Sequence, residues 1–179
     1  LRNLWSRAYN ADSSKNQMKL TIISGRSGSG KSTVLHVLED RGYYCIDNLP
    51  ASLLSSLASR ISSDATGIPN VAVSIDARNI SADLDKFPSI INELKNKSLP
   101  TEIVFLDANS QTLLKRFSET RRKHPLSSEA IGLKEAIDKE SELLEAISIM
   151  ASLSIDTSNM SLHQLRDTVK NHLLDDQQT

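Results

Sequence analysis

Apolar residues along this chain follow two alternating rhythms. Short unbroken runs occur at Leu20-Thr21-Ile22-Ile23, Tyr43 to Ile46, Val71 to Ile75, Glu102 to Asp107 and near Leu153 to Ile155. Runs of this kind, rich in β-branched residues, mark strands buried on both faces. Between them the apolar positions recur at spacings of three and four, the mark of amphipathic helices. Val34, Leu35 and Leu38 define one helix, with Gly42 just past its end, and Leu53, Leu54, Leu57 and Ile61 define the next, opened by Pro50. Residues 62–70, with Gly67 and Pro69, read as a loop. A third helix is expected over about 83–96 on Phe87, Ile90, Ile91 and Leu94, although Pro88 weakens its start. A fourth covers 109–119 on Leu113, Leu114 and Phe117, a fifth runs from about 128 to 148, and Ser161 caps a last one through Leu162, Leu165, Val169 and Leu173.

Strands alternating with helices predict an α/β protein, a five-stranded parallel sheet with helices on both faces. Right-handed crossovers put the carboxyl ends of all strands on one edge, where ligands of open α/β sheets bind. That edge would carry Gly25, Asp47, Asp76, Asp107 and Asp156.

The first strand runs into Gly25-Arg26-Ser27-Gly28-Ser29-Gly30-Lys31-Ser32, which fits G-x-x-x-x-G-K-[ST], and a helix follows at once. Strand, glycine loop and helix start are the context that this phosphate-binding motif requires. Glycines let successive N–H groups turn toward phosphate oxygens at the positive end of the helix dipole. Lys31 would reach the β- and γ-phosphates, and Ser32 would offer its hydroxyl to Mg²⁺, a hard cation that favours oxygen ligands. Asp107 is the first candidate for the carboxylate that completes the metal site, with Asp76 competing; a strand-terminal Asp is also a common turn residue. Asp47, after the second strand, would orient or deprotonate a water or an acceptor hydroxyl, or else form a turn into Pro50. Arg116, Arg121, Arg122 and Lys123 form a basic cluster. On a lid between Thr120 and Ser128, arginines would stabilise charge on a transferred phosphoryl group; as a helix end, they would complement its dipole.

The composition narrows the picture further. The chain has 179 residues, enough for one domain with a substantial core, and 21 Lys and Arg against 22 Asp and Glu give a net charge of −1. No global field therefore recruits nucleic acid or membrane. Aromatics are only 4% of the chain, which argues against a direct RNA-binding surface of basic groove and stacking rings. The single Cys45 has no disulfide partner within the chain, no apolar run reaches the roughly 20 residues of a membrane span, and a cytoplasmic setting is expected. Residues 1–17 are polar, begin without Met, and read as an upstream extension, with a docking arm anchored by Trp5 and Tyr9 as the alternative. No His or Cys spacing suggests zinc, and His36 and His172 are expected on helix surfaces.

The segments GRSGSGKS, GYYCIDNLP, SIDARN, FLDAN, TRRKHPLS and AIDKES, in this order, resemble the bacterial RapZ/YvcJ family of P-loop nucleotide-binding proteins, and most closely its branch of RNase adapter proteins. The resemblance covers residues 18 to about 174. It implies a three-layer P-loop NTPase fold, kinase-like, with weak Mg²⁺-dependent ATPase and GTPase activity. It assigns nucleotide contacts to Gly25, Arg26, Ser27, Gly28, Ser29, Gly30, Lys31, Ser32 and Thr33, and GTP contacts to Asp76, Ala77, Arg78 and Asn79. Lys31, Asp47, Arg121 and Arg122 are then the expected catalytic residues, with Ser32 and Asp107 on the metal. The family's partners are a small regulatory RNA and an endoribonuclease in the control of glucosamine-6-phosphate synthesis. Those roles are ascribed to a second domain, to which residues 175–179 would lead. The runner-up is a small-molecule phosphotransferase of the nucleoside-kinase kind. Homo-oligomerisation is left open.

Overall fold

The computed structural model describes residues 19–63, 70–79 and 81–173. The upstream extension with Trp5 and Tyr9, most of the loop at 62–70, and the tail at 175–179 lie outside the described residues.

Strand β1 (Lys19–Gly25) is buried along almost its whole length, because it occupies the middle of the sheet. It pairs in parallel with β3 (Asn70–Ile75) on one side and β4 (Thr101–Asp107) on the other. Beyond these lie β2 (Tyr44–Ile46) next to β3 and β5 (Leu153–Asp156) next to β4, giving the order β2-β3-β1-β4-β5. All pairings are parallel, as the unbroken apolar runs predicted.

Side chains alternate between the two faces of the sheet. Leu20, Ile22, Val71, Val73, Ile75, Ile103 and Phe105 point into one core. It is closed by α2 (Leu54–Ser63), α4 (Phe87–Asn96) and α7 (Glu145–Met150). Ile23, Ala72, Val104, Leu106 and Ile155 point into the other, which α1 (Lys31–Glu39) and α8 (Leu162–Leu173) cover. A third, smaller cluster of Ala108, Leu113, Phe117 and Ile137 joins α5 (Ser110–Thr120) to α6 (Leu133–Leu143).

Three expected helices have different outlines. The segment expected as one helix over 83–96 is α3 (Ser81–Asp85) followed by α4, interrupted at Lys86. Pro88 has no N–H and its ring clashes with the carbonyl four residues back, so it fits only at the first turn of a new helix. The helix expected from 128 to 148 starts at Leu133 and breaks at Leu144. Ser128 accepts the N–H groups of Ala130 and Ile131 on its hydroxyl, a local alternative to helix, and Leu144 is fully buried in the core under α7. After Pro50 the chain makes a 3-10 turn, Ala51–Leu53, before α2 begins.

Candidate phosphate-binding site

Strand β1 has neighbours reached in opposite directions, β3 and β4, so its carboxyl end is the point where the strand order reverses and a crevice opens. The glycine loop occupies that point. Gly25 has φ +140°, and a Cβ there would stand 2.1 Å from the Leu106 carbonyl oxygen, so no other residue fits between β1 and β4. Gly30, at φ +110°, precedes α1, and a Cβ on it would meet Leu165 of α8 at 2.6 Å. The loop turns tightly, with Ser29 N–H donating to the Arg26 carbonyl at 3.0 Å. It then delivers Lys31 and Ser32 as the first residues of α1, where N–H groups have no intrahelical acceptor.

The Lys31 ammonium donates to the carbonyls of Gly25, at 2.6 Å, and Arg26, at 3.1 Å. Burial holds it below the ordinary lysine value; the charges of Glu140, Asp76 and Asp47 oppose the shift and Arg78 adds to it. Three carboxylates and one guanidinium therefore share the field of Lys31. Ser32 is exposed at the start of α1, and Thr33 beside it is half-buried with its N–H on the Gly30 carbonyl.

Asp76, at the end of β3, is buried, and Arg78 grips it through Nε and a terminal nitrogen, the latter at 2.6 Å, and through its own N–H. Burial alone would raise its pKa, but the Arg78 bonds and Lys31 outweigh that and hold it below the ordinary value. Ala77 is buried. Asn79 accepts the Ala51 N–H at 2.6 Å and donates to the Asp76 carbonyl, so it ties the end of β3 to the turn after Pro50. Asp47 is exposed and accepts a short hydrogen bond from Ser74, whose oxygen also accepts the Asn48 N–H at 2.7 Å.

Asp107 sits apart from this group. Its side chain is 52% exposed and 3.7 Å from Arg26, and it lines a cavity of about 220 Å³ with Ser141, Glu142, Glu145 and Ser148 of the α6–α7 corner. Asp107 and Asp76 end the strands on opposite sides of β1, and of the two it is Asp76 whose charge acts on Lys31. The side chain of Arg26 turns the same way as Asp107. It is buried and donates to the carbonyls of Ala108, at 3.2 Å, and Ile137, at 3.1 Å. Arg26 is thus a strut between the loop, β4 and α6.

The four cations of the expected basic cluster divide. Arg116 donates to the Gly28 carbonyl at 2.9 Å and to the Thr157 carbonyl at 2.6 Å, while the Thr157 hydroxyl donates to the Ser29 carbonyl at 2.8 Å. Arg116 and Thr157 together brace the loop from behind. Arg121 ends α5 in the left-handed conformation, φ +52°, and Arg121, Arg122 and Lys123 are exposed. The next residue, His124, is 1% exposed.

Sequence reading missed Glu140. It is fully buried on α6, and its carboxylate accepts the Ser27 hydroxyl at 2.6 Å, the Ser27 N–H at 2.9 Å and a His124 Nε2 hydrogen bond at 3.1 Å. Burial would raise its pKa, but these bonds and Lys31 more than compensate and hold it ionised. The helical rhythm marks Glu140 only as a polar residue on a buried face, which is itself the signal for a paired charge. The remaining candidates are quiet: His36 and His172 are exposed, and burial and Glu39 push the Cys45 thiol up to about 11. Among the described residues no three His, Cys, Asp or Glu side chains cluster as a metal site, and no helix is long and apolar enough to cross a membrane.

Sheet order and loop define the class, a P-loop domain with a kinase-like fold. The chain is similar to a solved sugar kinase from Janibacter sp. (TM-score 0.58, 19% identity, covering 87% of this chain and 94% of that one). It is similar also to shikimate kinase from Acinetobacter baumannii (TM-score 0.54, 15% identity, covering 92% and 97%). Likeness at these identities concerns the fold alone. The model of the RapZ-like N-terminal domain matches residues 18–177, and the chain belongs to that family. A relative named nucleotide-binding protein from Hahella chejuensis is 60% identical over 154 residues, 86% of this chain and 54% of that protein. Another so named, from Pseudomonas paraeruginosa, is 54% identical over 158 residues, 88% of this chain and 55% of that protein. The chain spans about half the length of the curated relatives it matches.

Proposed function

We propose that this domain binds ATP and GTP with Mg²⁺ and hydrolyses them slowly. In a longer protein of its family it would be the nucleotide-responsive half of a cytoplasmic RNase adapter. Small-RNA binding, presentation to an endoribonuclease and sensing of glucosamine-6-phosphate would belong to the part of the relatives this chain does not span. The observation that carries the nucleotide reading is Lys31, half-buried where the glycine loop enters α1 at the sheet's switch point, in the field of Glu140, Asp76 and Asp47. A half-buried cation in this position is poised to exchange its two carbonyl partners for phosphate oxygens.

Mg²⁺ usually binds through phosphates, waters and one or two protein groups, so few side chains of this domain would be needed to hold it. Ser32 would contribute its hydroxyl and Asp107 the carboxylate, with Asp76, whose charge acts on Lys31, as its competitor. Mg²⁺ held there would supply positive charge against the phosphates. The chain's own residues do the rest by positioning: Lys31 and the loop amides hold the phosphates, Asp47 orients the attacking water, and Arg121 and Arg122 stabilise the charge on the γ-phosphoryl group. Asp76 to Asn79 would contact GTP through Arg78, the exposed member of that stretch.

The test is release of labelled γ-phosphate from ATP and GTP with Mg²⁺, with and without a bacterial metabolite extract. Slow release to water in both cases is expected. Label on a metabolite would make the domain a small-molecule phosphotransferase and overturn the regulatory reading.

A further inference from the structure

The buried pair Glu140 and His124 has no part in the phosphate contacts described above, yet it touches the glycine loop directly. The Glu140 carboxylate holds both donors of Ser27, the N–H at 2.9 Å and the hydroxyl at 2.6 Å, so the loop tip is fixed at two points. His124 Nδ1 accepts the Leu126 N–H at 3.1 Å, which leaves the proton on Nε2 to be donated to Glu140. The imidazole also lies against the ring of Phe117, centroids 5.0 Å apart, and Phe117 packs beneath Gly28. Loop tip, α6 and the turn after Arg121–Lys123 therefore meet at one buried carboxylate, with Phe117 of α5 packed against the imidazole. A charge taken out of water at such a point is costly unless all its partners are present, which makes the arrangement all-or-none.

We infer that Glu140 and His124 are positioning residues for nucleotide hydrolysis: a clamp that fixes the loop tip and roots the basic run Arg121-Arg122-Lys123 beside it. This rests on the proposed hydrolytic function. Two residues separate Arg121 from His124, so the exposed cations are carried on a short leash whose root is tied through Glu140 to the phosphate-binding loop. The clamp serves turnover more than affinity. Nucleotide binding draws on the loop amides and Lys31, whereas arginines that meet the γ-phosphoryl group only as charge develops act on the rate.

The test compares wild type with Glu140→Gln, His124→Leu and His124→Gln. Without ligand, amide hydrogen exchange is read at Ser27 and at Leu126. In Glu140→Gln and His124→Leu both amides are expected to lose protection together, although the two residues lie on different segments. With Mg²⁺ and ATP, kcat is expected to fall by about 10- to 100-fold while nucleotide Kd stays within about threefold. His124→Gln, whose amide can still donate to Glu140, is expected to recover most of kcat. If Ser27 stays protected in both disruptive variants, or if they turn over at the wild-type rate, the clamp is disproved. If wild type itself hydrolyses nothing, the functional reading falls, and the exchange experiment still decides whether the clamp exists.

Discussion

Asp76 and Glu140 are two buried carboxylates that stay ionised in the field of the half-buried Lys31, each for a nameable reason. Burial works against both; Arg78 answers it at Asp76, and His124 with Ser27 answers it at Glu140. Their folded pKa values lie below the ordinary 3.8 and 4.5. The stability they contribute is therefore fully present above those ordinary values and is lost as pH falls through them toward the lower folded values. Urea midpoints should drop steeply between about pH 5 and pH 3, and Asp76→Asn should flatten that slope while lowering stability at pH 7. An acid slope in Asp76→Asn equal to that of wild type would mean that the Arg78 grip contributes nothing. At this scale the sequence told much: the loop residues are contiguous, so their spacing alone carried the motif. It could not show that the Arg26 side chain is a strut, because its acceptors lie 82 and 111 residues away.

Elements decide how the loop is held. Strands and most helices were legible because apolar runs and three-four spacing are set by burial on a sheet face, which is a local pattern. The break at Leu144 was not, because its cause is tertiary: Leu144 serves the core under α7 while Ile137, on the same expected helix, serves the cluster with α5. The same limit hid Glu140, whose partner Ser27 is 113 residues distant. Helix α5 and the end of β5 show how such long-range contacts act on function. Arg116 and Thr157 donate to the carbonyls of Gly28 and Ser29, fixing which way those peptides face. Arg116→Met keeps the stem and deletes the bonds that Arg116 donates to the Gly28 and Thr157 carbonyls. We expect it to weaken nucleotide binding by about tenfold, in line with one or two lost hydrogen bonds to backbone, with a smaller effect on thermal stability. Calorimetric titration giving an unchanged Kd would show that the loop holds its shape without the brace.

For the molecule as a whole, two apolar layers sandwich a sheet whose order reverses at β1, and the charged groups gather at that one edge. Lys31 is the decisive residue, because its ammonium rests on the loop carbonyls while its side chain belongs to neither core. The fold makes the separation between binding and stability testable. Titration of Mg²⁺ with ATP, and separately with GTP, into wild type and Lys31→Ala, checked by circular dichroism for an unchanged fold, measures the claim directly. Saturable binding by wild type is expected, with a loss of at least about 100-fold in affinity for folded Lys31→Ala, the scale of charge-assisted contacts to phosphate. Wild-type affinity in that variant would contradict the claim.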